Sequence, residues 1–489
     1  MFLIRSIKNR SRLPLPPGPK KLPLVGNLFD IPTTEQWETF RKWSRDFDSD
    51  ILHLNVAGKS IIILSSLQAT NDLMVKRSSI YSDRQAHLLA TVHSEVHFKL
   101  LFRRAQREIL NTTFSAGASS QFRPMELAST HALLRCVLKN PGCCLMEYFE
   151  QMVGKMIMSI TYGIDVLPLN DPYLKLSHEM ARAGSVAAVP GKYLVDTIPV
   201  LKYIPTWFPG AEFKRQAKEW KKVVRQAVEL PFEETKRKIA TGGARASFVS
   251  QVLSMEWDVL DPHYSEGAMR DGAGMIFNAG NHVTVAVLGT FALAMLLHPD
   301  IQKKAQLEID SVVGRDRLPT FDDKPALPYI SALVKEVLRW KSVAPLAVPH
   351  FVAVEDEYRG YRIPAGSIVL GNTWAICHDE AFYPEPLDFL PERFLLAGNE
   401  DNISPDPVVL FGYGRRACPA KSMALDSLWI TAACILAAFD LTKAVGDDGK
   451  VIEPTCEYVS GLAYTPLPFK SFMRPRSKRS ADLVDATAM

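Results

Sequence analysis

Polar and apolar positions alternate in only one part of this chain. Residues 51–64 partly alternate and are rich in β-branched side chains, which predicts strands of a small sheet. From about residue 67 onward, helical spacing dominates. A long helix is expected over 264–298, glycine-spotted in its first half, followed by helices over 300–313 and 327–340. Residues 348–369 break into short strands and turns, and a continuous apolar run predicts a helix over 420–441. Residues 190–210 are apolar but punctuated by four prolines and two glycines, the pattern of a surface loop with exposed hydrophobics. Two readings of that loop stand, a membrane-facing entrance or ordinary packing between helices. The whole predicts a mainly α fold with a small β part. Its expected organisation is a basic leader and proline-rich hinge over 1–22, one large domain over 23–476, and a disordered tail over 477–489.

Composition narrows the class. The chain has 489 residues, no internal repeat, and a net charge of +4 spread along its length, which does not argue for nucleic acid. Its seven cysteines show neither a paired framework nor zinc spacing, as expected of a reducing compartment. Met1 to Ile4 is apolar, but Arg5, Lys8, Arg10 and Arg12 follow at once, so no membrane span or signal core is expected there. The basic stretch is read either as a contact with anionic lipid or as a solvated leader.

The strongest chemical signal is Phe411-Gly-Tyr-Gly-Arg-Arg-Ala-Cys-Pro-Ala420. Gly412 and Gly414 permit a tight turn and close approach to a large flat ligand. Arg415, Arg416 and the start of the following helix are expected to favour the thiolate form of Cys418. A thiolate held this way suits an axial position on haem iron. No Cys-x-x-Cys-His is present, so any haem is expected to be held without covalent links.

The spacing Phe411-x-x-Gly414-x-Arg416-x-Cys418 resembles the haem-thiolate loop of the cytochrome P-450 family, and so does the order of Glu336-x-x-Arg339 and Pro391-Glu-Arg393-Phe394 upstream of it. The likeness runs from the hinge at Leu13-Pro-Leu-Pro-Pro-Gly-Pro-Lys to Arg476. Residues 190–210, Val348-Pro-His350 and Tyr358-Arg-Gly-Tyr-Arg-Ile-Pro look most like fungal secondary-metabolism members, among them mycotoxin-pathway oxidoreductases and tryptamine hydroxylases. The resemblance implies haem b with Cys418 as the axial iron ligand, and a buried charged triad of Glu336, Arg339 and Arg393. It also implies propionate contacts from Arg107, His350 and Arg416.

Four positions depart from the family pattern. Arg103 stands where a tryptophan is usual, and Ala420 where glycine is usual. In Ala279-Gly-Asn-His-Val-Thr284 the usual acid is His282 and the first threonine is Val283. Gly280 is expected in the oxygen pocket, with His282 and Thr284 as the candidate proton relay; the other reading is that His282 packs or binds substrate. Substrate contacts are expected from 86–101, 187–193, 277–281, 344–348 and 462–465.

The implied reaction is oxidation, most simply hydroxylation, of an apolar small molecule with O2. Electrons are expected from NADPH-cytochrome P-450 reductase, with cytochrome b5 as a second candidate donor, because the chain has no Gly-x-Gly-x-x-Gly of its own. The expected place is the cytosolic face of the endoplasmic reticulum, held peripherally. Two alternatives stay open at this level: an isomerase, dehydratase or peroxide-using enzyme that needs no relay, and a haem-binding protein without turnover.

Overall fold

The alternating segment folds as a hairpin. β1 (Ile51–Val56) pairs antiparallel with β2 (Lys59–Leu64) around Ala57 and Gly58, both with positive φ, the backbone that a two-residue hairpin loop requires. The structure is a computed structural model. It describes residues 13–488, apart from 85–103, 143, 168–169, 188–192, 194, 196–198, 256–264, 396–405 and 461–462.

Helices carry most of the remaining chain: α1 (Gln36–Asp46), α2 (Arg104–Phe114), α3 (Arg123–Lys139), α4 (Leu145–Tyr162), α5 (Pro172–Ala187), α6 (Glu212–Ala240), α7 (Phe248–Ser254), α8 (Glu266–Leu297), α9 (Pro299–Val312) and α10 (Pro328–Trp340). Short strands β3 (His350–Phe351), β4 (Asp356–Tyr358), β5 (Tyr361–Ile363) and β6 (Ile368–Gly371) follow. Then come α11 (Lys421–Ala438), β7 (Phe439–Val445), β8 (Val451–Ile452), β9 (Tyr458–Val459), β10 (Thr465–Pro466), β11 (Ser471–Pro475) and α12 (Lys478–Ala486). The main sheet has the order β1-β2-β6-β3, with β6 parallel to β2 and antiparallel to β3.

The proline-rich segment lies against this sheet. The Pro17 carbonyl accepts from the His53 amide at 2.8 Å, and Pro14 accepts from Arg362 at 2.8 Å. A Cβ at Gly18 would overlap the His53 carbonyl, so only glycine lets the strap lie this close.

α8 is the central helix, and it is apolar nearly all round over 285–296, as a helix buried on every side must be. It crosses α4 in the opposite direction. Phe277 meets Tyr162, Gly280 meets Ile157, and a Cβ at Gly289 would come within 2.5 Å of Met146 Sδ. Glycine thus sets the close approach of the two axes. α8 and α11 are long and apolar enough to span a membrane, but their most apolar windows are 78% and 72% buried inside the protein.

Two expectations are corrected. The apolar run at 420–441 is not one helix: α11 ends at Ala438 and the chain continues as β7, whose Phe439, Leu441 and Ala444 face inward. A short apolar run carries no periodicity that separates helix from strand. The tail at 477–489, expected to be disordered, forms α12 instead. Ser477 and Ser480 cap it reciprocally, Val484 is fully buried, and Arg135 donates to the Thr487 carbonyl at 2.9 Å. In the described part of 190–210, Tyr203 and Trp207 stand exposed, Trp207 at 77%, in agreement with a surface loop.

One buried acid sits between α3 and α11. Glu126 is 1% exposed; its Oε1 accepts from the Ser427 hydroxyl at 2.7 Å and its Oε2 has no hydrogen-bond partner among the described residues. Burial pushes its pKa up to about 7. A raised acid pKa favours the fold while the group is protonated, so this contribution is lost as pH rises from the ordinary carboxyl range through about 7. The loss is about 3 kcal/mol at most. Glu126→Gln should therefore match the parent at pH 4 to 5 and exceed it at pH 8; denaturant midpoints at both pH values test this, and equal pH slopes for the two proteins would refute it.

Candidate functional site

The turn that carries Cys418 is built by two left-handed glycines. Gly412 has φ 83° and Gly414 φ 50°, and the Cys418 amide donates back to the Phe411 carbonyl at 2.6 Å, closing the loop. Gly414 is required for a second reason. A Cβ there would overlap the Met74 carbonyl and come within 3.2 Å of Val75 Cα. Those residues belong to a π-helical turn, Asn71–Lys76, a rare form that recurs at functional sites. Between the glycines, Tyr413 is buried and its hydroxyl lies 3.2 Å from Thr373 Oγ1.

Cys418 is exposed, yet desolvation by surrounding protein dominates its titration and raises its pKa. Both observations hold if the sulfur faces an enclosed space rather than bulk water. The expected bias towards thiolate is thus overturned for the bare protein: burial outweighs the Ala420 amide and Arg107, which both pull the other way. The neighbouring arginines do not supply that pull. Arg416 turns to the Ser82 carbonyl, donating from Nε at 2.7 Å.

Around that space four cationic or basic groups gather. Arg107, on α2, donates from Nη2 to the Ala417 carbonyl at 2.8 Å. His350, on β3, is buried with Nδ1 2.7 Å from the Tyr81 carbonyl, so that nitrogen carries the proton. Arg84 donates to the carbonyls of Val348 and Pro349. Burial, then Arg416 and Arg107, hold the Arg84 pKa down to about 9; burial and then Arg84 push His350 down to about 3. Arg416 is itself lowered by burial and by Arg107, with Asp83 the opposing acid. Like charges held this close, in one wall, fit a ligand with carboxylates. A flat porphyrin with two propionates fits both the cations and the open side of the sulfur.

Arg84 was not legible as a site residue. It sits in no motif, and only the folded path from Tyr81 to Arg84 brings it beside His350. Arg103 and the expected substrate contacts at 86–101 lie outside the described residues, as do most of 187–193 and position 462.

Glu336, Arg339 and Arg393 do come together. Arg339 grips Glu336 through Nε and Nη2 at 2.7 and 2.8 Å, and Arg393 Nε lies 3.2 Å from Glu336 Oε1. Glu336 and Arg339 are fully buried. The remaining donors are satisfied: Arg339 Nη1 reaches the Cys377 and Pro386 carbonyls, Arg393 reaches Pro384, and the Leu390 amide donates to Glu336. A buried charge cluster is tolerable only when complete in this way.

α8 opens on one side. Ala279 and Val283 are exposed in the middle of a core helix, Val283 at 41%, so the face they share borders the interior space. Gly280 faces α4, its would-be Cβ 3.1 Å from Ile157. His282 points to α5: Nε2 lies 3.1 Å from the Ser177 carbonyl and 3.3 Å from its hydroxyl. Burial, with His178 adding, lowers the His282 pKa to about 4, so the ring is neutral at neutral pH. Thr284 lies about 100° round the helix from Val283. The three residues expected around oxygen thus flank the open face rather than occupy it; its occupants are Ala279 and Val283.

A family model for cytochrome P-450 matches residues 16–471. The chain is 41% identical to a cytochrome P-450 monooxygenase of Armillaria gallica, over 99% of this chain and 96% of that protein. It is 41% identical to cytochrome P-450 monooxygenase 98 of Postia placenta, over 98% and 93%. It is 36% identical to the tryptamine 4-monooxygenase of Psilocybe cyanescens, over 96% and 94%.

Proposed function

The chain belongs to the cytochrome P-450 family, an oxygen-incorporating haem-thiolate class, and from that premise we propose that it is a monooxygenase of fungal secondary metabolism that hydroxylates an apolar small molecule. The observation that carries the reading is the exposed Cys418 of the glycine-built loop lying beside Arg107, with Arg84, Arg416 and His350 gathered next to it. Cys418 is the iron ligand, and those four groups hold the propionates. When bound, haem supplies the oxygen-activating chemistry of the family. Glu336, Arg339 and Arg393 keep the segments around Cys377 and 384–390 in register with α10.

Ala279 and Val283 leave room beside the sulfur-facing space, and their lack of polar atoms keeps that face dry. Val348, exposed at the end of its loop, and the described part of 462–465 supply apolar contacts to substrate. Electrons come from NADPH-cytochrome P-450 reductase, drawn to Arg415 and Lys421 on the side of the Cys418 loop. Tyr203, Trp207 and Phe208 give peripheral contact with the cytosolic face of the endoplasmic reticulum.

A fungal host grown with and without this gene under heavy-isotope dioxygen tests the reading. The expected result is a metabolite present only with the gene and carrying one oxygen atom from dioxygen. A gene-dependent product labelled only from water, or formed by the purified protein without NADPH, would overturn it in favour of isomerase, dehydratase or peroxide chemistry.

A further inference from the structure

One element holds more of the chain's charge than an even spread would give it. Residues 212–228, the first part of α6, carry six basic side chains and two acids, a formal +4 and as much as the whole chain. Four of the six, Arg215, Lys218, Lys222 and Arg225, are exposed and recur at helical spacing, so they share an arc of about 80° on the outer face. Among the described residues, none of these four has a carboxylate within ion-pair distance. Glu219 stands at one edge of the arc and Glu212 beyond it, while Trp220, Val224 and Ala227 bury the opposite face. The start of this helix is tied to the exposed aromatic loop before it. Lys214 Nζ donates to the Ile204 carbonyl at 2.7 Å, Arg215 Nη1 to the Thr206 carbonyl at 2.8 Å, and the Ala211 amide to the Phe208 carbonyl at 3.0 Å. Lys202 Nζ lies 4.9 Å over the Tyr203 ring. The exposed rings of Tyr203, Trp207 and Phe208 therefore adjoin the basic stripe rather than stand apart from it.

We propose that this loop and the outer face of α6 form one docking surface for a membrane rich in anionic phospholipid, and that headgroup charge decides which membrane the protein occupies. The rings enter the headgroup layer, where amphipathic aromatics are most stable. Arg215, Lys218, Lys222 and Arg225 lie over the anionic headgroups. A basic side chain close to such a surface strengthens binding about fivefold, and the effect fades beyond a Debye length of about 8 Å at physiological salt. An aromatic loop alone would take any fluid bilayer alike; the stripe makes the contact depend on charge. An acidic protein would need only the stripe, and the adjoining rings favour lipid. This rests on the peripheral-contact part of the proposed function.

The test uses the full haem-loaded chain and vesicles of phosphatidylcholine, alone or with about one-third phosphatidylserine. The parent should bind the mixed vesicles about 100-fold tighter, and that advantage should collapse at about 1 M salt. Lys218→Gln, Lys222→Gln and Arg225→Gln together should lose about 100-fold on the mixed vesicles and almost nothing on phosphatidylcholine. Trp207→Ala should weaken both alike. Glutamine is a good helix former at exposed positions, so the triple variant should keep the parent's reduced carbon-monoxide spectrum. Equal affinity of the parent for the two vesicles overturns the proposal. So does a triple variant that keeps the preference, which then belongs to the basic stretch from Arg5 to Arg12. A triple variant that binds vesicles like the parent but takes electrons more slowly from reductase in lipid-free buffer also overturns it, and gives the stripe to an acidic protein. If the parent binds neither vesicle, the peripheral-contact reading fails as well.

Discussion

Replacing Cys418 with serine is expected to abolish the thiolate signature of the reduced carbon-monoxide spectrum and to lower NADPH-dependent oxygenation more than about 100-fold. Loss of an outer-shell partner already costs 10- to 100-fold in metal sites, and here the ligand itself goes. Serine nearly preserves shape, and the loop is held independently by Gly412, Gly414 and the Cys418 amide on Phe411. The protein should therefore still fold, and the loss reads chemistry rather than collapse. A companion result follows from the raised thiol pKa. In bare protein the sulfur is protonated, and iron binds only thiolate, so loading releases a proton. Haem affinity of the apoprotein should rise with pH, by up to about tenfold per unit while the thiol remains protonated. Haem titrations at pH 7 and 8 measure it, and a Cys418→Ser protein with unchanged spectrum, or a parent with no pH slope, would remove the sulfur from the iron.

Glu336→Gln should be nearly as damaging, for a structural reason. Among the described residues Glu336 is the one anion paired with Arg339 and Arg393, and Arg339 is fully buried. Removing the charge leaves two cations facing each other with three arginine-to-carboxylate contacts weakened. Breaking a buried pair costs about 3–5 kcal/mol, against a whole-domain stability of about 5–15 kcal/mol. The expected outcome is a sharp fall in soluble, haem-loaded yield and a lowered denaturant midpoint. Arg393→Lys keeps the charge and should lose less than Glu336→Gln. Equal yields for parent and Glu336→Gln would show that the triad does not hold the site.

Legibility in the sequence followed the range of the interactions. α8 was expected over 264–298 and runs Glu266–Leu297, because its apolar pattern is long enough to fix period and ends. The triad was legible because family spacing names its members. Arg84 was not, since its role arises from a turn that brings Tyr81 to His350. α12 was missed because its cap uses serine at both ends of the box rather than the usual acid, and one buried Val484 anchors it. The direction of the Cys418 shift was misjudged for a related reason. Arg415 and Arg416 are neighbours along the chain, but the folded turn sends Arg416 to Ser82 and leaves the sulfur to Arg107. Gly280 and His282 were correctly placed on α8, but which neighbour each would face depends on how α4 and α5 cross it.

The four basic groups beside the sulfur come from widely separated stretches of chain: Arg84, Arg107, His350 and Arg416. His350 is neutral there, but bringing Arg84, Arg107 and Arg416 together is costly, Asp83 offsetting only part of it, until further negative charge sits among them. Cofactor capture is therefore the closing act of folding rather than an addition to a finished shell, and the same electrostatic repulsion that disfavours the empty protein makes porphyrin supply a checkpoint on how much mature enzyme a cell accumulates.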